Sequence, residues 1–202
     1  MFERGIVALL RTRLREPRHT MQALLGPRQV GKTTAVRQTL DQLELRSIYA
    51  SADAPELQAR TWIYDQWNQA RAIHTETRLP VVLVLDEVPK LPRWTDVVKQ
   101  LWDEDTWHGR DIRVVLLCSA PLHVGRGLRE SMAGRYEIIH ASHWSWPECR
   151  DAFGWSLDQY IYFGGYPGGV EYVGDEDRWR EYVKETAIET TVSRDLLNQS
   201  RV

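Results

Sequence analysis

Cysteine is scarce in this chain: Cys118 and Cys149 are the whole complement in 202 residues. Two cysteines without a recurring spacing exclude a disulfide scaffold and read as a protein of a reducing compartment. Long apolar runs are missing as well. No stretch approaches the roughly 20 apolar residues of a membrane span. Residues 1–13 lack the apolar centre and small-residue cleavage site of a secretory leader, and their periodicity is that of an amphipathic helix. A cytoplasmic location is therefore expected. Nor does one sign of charge dominate, since 26 basic and 28 acidic residues leave a formal net charge of −2. That balance gives no electrostatic ground for binding nucleic acid through the whole surface, although a local patch stays open. Lysine occurs only at 32, 90, 99 and 184, a bias toward arginine that by itself carries no function.

What is present begins with glycine at two positions. Gly26, Pro27, Arg28, Gln29, Val30, Gly31, Lys32 and Thr33 form a complete G-x-x-x-x-G-K-[ST] phosphate-binding loop. The context fits: Met21–Leu25 is a short apolar run of strand type, and 34–43 alternates at helical spacing. Such a loop lets the backbone curl so that the N–H groups of Val30, Gly31, Lys32 and Thr33 face phosphate oxygens, aided by the positive end of the helix that follows. Lys32 would reach the β- and γ-phosphates and Thr33 a magnesium ion. The chain is expected to bind a nucleoside triphosphate, with Gly26 to Thr33 and Thr34 as the nucleotide-contacting set.

The length suits one main domain with a small appendage. Strand-type segments at 46–50, 81–85, 114–117 and 136–139 alternate with helical ones at 56–75 and 94–102. Such alternation predicts a doubly wound α/β sheet, and the unbroken apolar run from Val81 to Leu85 suits a strand buried on both faces. Beyond about residue 148 no β-period remains. We expect a nucleotide-binding core over 1–148 and a helical, lid-like region over 149–202, whose last helix carries no stop signal and suggests the start of a further part.

The strand at 81–85 delivers Asp86 and Glu87 at its carboxyl end, the Walker B arrangement. In open α/β sheets ligands bind beyond the carboxyl ends of the strands, so Asp86 can hold magnesium while Glu87 orients or deprotonates the attacking water. A glutamate there serves hydrolysis, where the nucleophile is water, better than transfer to a metabolite. Ser119, ending the next strand, is a candidate γ-phosphate sensor or water holder, and equally an ordinary turn serine. Charge on the transferring phosphoryl group calls for a cation. Arg126, Arg129 and Arg135 are the candidates, with Arg135 preferred over its alternative as a solvated surface residue.

Together these pieces resemble the bacterial and archaeal AAA-type P-loop ATPase domain that usually precedes a C-terminal domain of unknown function. The resemblance rests on residues 26–34, on 85–94, on 130–135, on Ser145, Trp146, Pro147 and Glu148, on 164–167, and on Arg194 and Asp195. It implies a three-layer P-loop fold with a central parallel sheet of strand order 5-1-4-3-2, placing the strand at 114–117 between those at 21–25 and 81–85. It also implies ATP and Mg2+, a helical subdomain covering the nucleotide, and a protein or DNA partner engaged through a C-terminal domain absent here. Two departures stand out. Similar proteins tend to carry Gly-Ser-Ser where this chain has Cys118, Ser119 and Ala120. They tend to carry Pro before a Leu-Ser-Phe-like segment where it has His143, Trp144, Ser145 and Trp146, a change of packing more than of chemistry.

Other features have plainer readings. The tryptophans fall mostly within helical segments and are expected in cores. His140, His143 and Cys149 follow no compact zinc spacing. Gly164 to Gly169 reads as a turn, or as backbone brought close to the nucleotide. The leading expectation is a Mg2+-dependent ATPase that drives or gates an attached or partner module. The alternatives are an ATP-dependent switch or scaffold with negligible hydrolysis, and a small-molecule kinase.

Overall fold

The computed structural model describes residues 2–53, 61–119 and 132–185. Two compact units emerge: one holds Glu3–Gly26 and Lys32–Ala141, and the other holds Phe2, Pro27–Gly31 and the described residues from Ser142 onward. The division thus falls after Ala141 rather than at 148, and the middle of the phosphate loop belongs to the second unit.

In the first unit, strands β1 (Met21–Leu25), β2 (Arg46–Ser51), β3 (Val81–Asp86), β4 (Ile112–Cys118) and β5 (Tyr136–His140) form one sheet in the order β2-β3-β4-β1-β5. All pairings are parallel. Read from its other edge, this is the 5-1-4-3-2 order that the resemblance implies. β1 and β3 are buried at every residue, as strands covered on both faces must be. One face carries Ala23, Leu83 and Leu116 against helix α3 (Thr61–Thr77) and helix α4 (Trp94–Trp107), whose Trp62, Trp67, Trp94 and Trp102 lie in this core. The alternate residues face the other way: Arg113 of β4 donates to the Leu14 carbonyl of helix α1 (Gly5–Arg15). There α1 meets helix α2 (Lys32–Asp41), with Thr39 Oγ1 donating to the Val7 carbonyl at 3.5 Å. A sheet between two helical layers is the three-layer α/β class, and this strand order is that of the P-loop sandwich the resemblance implies.

The second unit is helical. Helix α5 (Trp146–Phe153) starts on a capping box in which the Ser145 side chain accepts from the Glu148 N–H and the Glu148 carboxylate accepts from the Ser145 N–H at 2.8 Å. The Ser145 to Glu148 motif therefore has a local physical reason, since it satisfies two amides that a helix start leaves open. Helix α6 (Leu157–Phe163) repeats the device with Ser156 and Gln159. A 3-10 turn, Pro167–Tyr172, and helix α7 (Glu176–Tyr182) follow. Trp155, Phe163 and Cys149 form a small buried core, with Trp144, Phe153 and Trp179 packed on it. No helix of the described residues is long and apolar enough to cross a membrane.

One buried charge locks α3 to α4. Asp105 is fully buried and accepts from Trp67 Nε1 at 2.6 Å, Arg71 Nε at 2.7 Å and an Arg110 guanidinium nitrogen at 3.0 Å. Removing such an acceptor strands its donors away from water. We expect Asp105→Ala to cost about 3 kcal/mol of unfolding free energy in urea titrations, and Asp105→Asn, which keeps an acceptor for Trp67, to cost less.

Candidate functional site

Parallel register decides what meets at the carboxyl edge of the sheet. Leu25 pairs with Cys118 and Asp86 with Leu117, so Gly26, Asp86, Glu87 and Ser119 emerge side by side. Gly26 donates its N–H to the Cys118 carbonyl at 3.3 Å, and Glu87 donates its own to the Leu117 carbonyl at 3.1 Å. On the other side of β1, Ala141 donates to the Leu25 carbonyl at 2.7 Å. A Cβ on Gly26 would lie 1.9 Å from the Ala141 carbonyl oxygen. The first glycine of the loop is thus demanded by strand-end crowding.

Lys32 is 6% exposed and donates from Nζ to the Gly26 carbonyl at 2.9 Å, returning its ammonium group to the first residue of the loop. One residue on, Thr33 Oγ1 donates to Asp86 Oδ2 at 3.3 Å. That bond joins the first turn of α2 to the end of β3. Thr34 is exposed on α2. Of the remaining loop residues, Pro27 and Arg28 are half-buried, Gln29 is exposed and Val30 is buried. Gln29 and Gly31 take left-handed φ values of 63° and 88°; the second is the conformation that the motif's other glycine supplies without strain.

Asp86 is the most constrained carboxylate of this edge. Burial pushes it above the ordinary aspartate range. Hydrogen bonds from Tyr49 and Thr33 favour its ionised form, whereas the negative charges of Glu87 and Asp53 disfavour it. A hard dication would relieve that disfavour, and a threonine hydroxyl beside a carboxylate is an oxygen donor set suited to Mg2+. The described residues contain no cluster of three or more His, Cys, Asp or Glu able to hold a metal.

Glu87 departs from β3 in a left-handed conformation, φ 54°, which for a residue with a Cβ is strained and persists only where its surroundings enforce it. Its carboxylate accepts from the Ser119 hydroxyl and lies 3.8 Å from Lys90 Nζ, which in turn pairs with Asp53. Ser119, 7% exposed, is therefore more than a turn residue: its hydroxyl fixes the orientation of Glu87. Beside it, burial pushes the Cys118 thiol up, leaving a neutral side chain.

Arg135 stands apart from this group. It immediately precedes β5, and its carbonyl accepts from the Met21 N–H at 2.8 Å, at the amino edge of the sheet. Five strand residues separate that edge from Gly26, roughly 17 Å at 3.3 Å per residue. Its guanidinium is also committed to Asp103, through bonds of 2.6 and 3.0 Å. The expected role of Arg135 at the phosphates of its own loop is excluded by this placement, because parallel pairing sends the start and end of a strand to opposite edges. Arg126, Arg129 and Ala120 lie outside the described residues, as do Arg194 and Asp195.

Tyr49 was not foreseen. From β2 its hydroxyl donates to Asp86 Oδ2, and burial together with Asp86 pushes its pKa up to about 12, so it stays a donor at neutral pH. The Arg37 guanidinium lies over its ring at 5.9 Å. The available signal was its place near the end of the strand flanking β3.

Residues 18–149, well over half of the chain, match the family described as AAA domain. The chain belongs to that family. It is accordingly a nucleotide-binding domain of the P-loop ATPase type. No curated protein matches its sequence. Among solved structures, the fold resembles Caenorhabditis elegans PCH-2 with a TM-score of 0.51 at 15% identity, over 79% of this chain and 46% of that one. It resembles the Aeropyrum pernix ORC1 protein, solved in complex with DNA, with a TM-score of 0.51 at 19% identity, over 74% of this chain and 46% of that one. The chain matches less than half the length of each, and at such identity the likeness is one of fold.

The crowding at Gly26 gives a direct test. Gly26→Ala should separate the ends of β1 and β5 and destabilise the domain by about 2 to 3 kcal/mol, read as a lowered melting temperature without added ligand.

Proposed function

We propose that this AAA domain binds ATP with Mg2+ at the loop 26–33 and hydrolyses it, using the chemical work to drive or gate a partner module, either protein or DNA. The observation that supports this most is the grouping of Lys32, Thr33, Asp86, Glu87 and Ser119 at one sheet edge, with Thr33 bonded to Asp86 and Ser119 to Glu87. In this reading Lys32 offsets the charge of the β- and γ-phosphates, and the loop N–H groups hold their oxygens. Thr33 and Asp86 would hold the magnesium, which when bound supplies charge neutralisation and phosphate alignment. Glu87 accepts a proton from water as the water oxygen bonds to the γ-phosphorus and the bond to ADP breaks. Ser119 donates to Glu87 Oε1, and Oε2, which lies 3.8 Å from Lys90 Nζ, would take that proton once Lys90 gives way.

The second reading, a nucleotide-dependent switch with negligible turnover, draws support from the strain of Glu87 and from its carboxylate's two partners, Ser119 and Lys90. Its carboxylate would have to exchange partners before it could serve water. The kinase reading has no observation of its own.

Phosphate release by the full chain separates the first two. Glu87→Gln should lower turnover by about a hundredfold or more while Mg·ATP affinity stays within about threefold; equal turnover in the variant would remove Glu87 from the chemistry. Tight binding with no wild-type turnover at any protein concentration would favour the switch. Turnover per chain that rises with concentration would place the charge-offsetting arginine on a second copy, and concentration-independent turnover would place it in the same chain.

Tyr49→Phe leaves the ring and deletes the donor to Asp86. Metal titrations at saturating ATP should show a Mg2+ requirement about three- to tenfold higher, with maximal turnover little changed.

A further inference from the structure

Trp144 is fixed from several directions within the second unit. Its ring stacks on Phe153, with centroids 5.0 Å apart and 21° between planes, and tilts against Phe2 at 5.5 Å. Its backbone N–H donates to the Gly165 carbonyl at 2.9 Å, and its backbone carbonyl accepts from the Tyr160 hydroxyl at 3.0 Å. Gly165 has to be glycine, since a Cβ there would lie 2.2 Å from the Trp144 carbonyl oxygen. The glycine cluster at 164–169 thus brings backbone close to Trp144. With backbone and ring both held, the only polar atom of the indole has a fixed direction. Nε1 donates to the Val30 carbonyl at 3.0 Å.

The Val30 carbonyl and the Gly31 N–H belong to one peptide group. That group is planar and trans, so the two bonds point in opposite directions. Whatever holds the oxygen sets the direction of the N–H. Trp144 therefore aims the Gly31 N–H away from itself, and this N–H is one of the four loop donors that the sequence assigns to phosphate. A second tie acts nearby. The Tyr182 hydroxyl donates to Gln29 Oε1 at 3.0 Å, where the backbone is left-handed. A loop whose peptide groups are aimed beforehand loses less conformational freedom when it closes on a ligand.

We infer that Trp144 is a positioning residue for the phosphate loop, whose indole N–H pre-orients the Val30–Gly31 peptide for a di- or triphosphate. The inference rests on the proposed nucleotide reading and deepens it. It also gives the departure at 143–146 a chemical meaning. A leucine in place of Trp144 fills space, whereas the tryptophan adds a donor that reaches loop backbone.

The test is calorimetric titration of the full chain with Mg2+ and a non-hydrolysable ATP analogue, and separately with Mg2+ and pyrophosphate. Trp144→Phe keeps an aromatic ring and removes the N–H. Phe153→Leu disturbs the same stack and leaves the N–H in place. We expect Trp144→Phe to weaken both ligands by about three- to tenfold, and Phe153→Leu to weaken them less even where its melting temperature falls as far. Wild-type affinity in Trp144→Phe, or an equal loss in Phe153→Leu, would overturn the positioning role. Failure of the wild-type chain to bind either ligand would instead overturn the nucleotide reading, and this inference with it.

Discussion

Because the five strands run in one direction, each chain turn that follows a strand emerges at the same edge of the sheet, and each turn that precedes one emerges at the other. Hydrogen-bond register then converts sequence position into spatial position. Gly26, Asp86, Glu87 and Ser119 come from three strands separated by dozens of residues, yet the pairing of Leu25 with Cys118 and Asp86 with Leu117 leaves them no freedom to lie apart. The register is held in turn by burial on both faces, since a shift of one residue would turn every apolar side chain of β3 to the opposite layer. The chemistry at the edge is therefore a consequence of packing some distance below it.

That relation explains which parts of the molecule could be read in advance. The strands were legible because unbroken runs such as Val81 to Leu85 have few other uses in a chain of this length. The phosphate loop was legible because its glycines, lysine and threonine stand at fixed spacing. The strand order was not contained in any run or spacing; it came from the family resemblance, and the pairing of β1 with β4 agrees with it. Arg135 misled because its charge was weighed without its position: a residue that precedes a strand of a parallel sheet lies at the amino edge, opposite the phosphate loop. Tyr49 escaped notice for the converse reason: an aromatic in an edge strand looks like packing until the neighbouring strand places a carboxylate against its hydroxyl.

The second unit teaches a related lesson about motifs. Ser145 to Glu148 and Gly164 to Pro167 carried the resemblance without any apparent chemistry. In the structure one is a helix cap and the other a site of backbone crowding against Trp144. Both are conditions for holding an aromatic side chain still. On the proposed reading, residues that look remote from the phosphate loop would act on it through the rigidity of a single peptide plane.

Asp86 carries a wider consequence. A carboxylate that is buried, and set beside Glu87 and Asp53, makes the folded chain disfavour a negative charge that the unfolded chain bears freely. On the proposed reading, a divalent ion and its nucleotide would bind the folded form alone and offset that cost. Fold stability would then vary with ligand concentration by mass action. The durability of this domain would then depend on the supply of its ligand as well as on its own core.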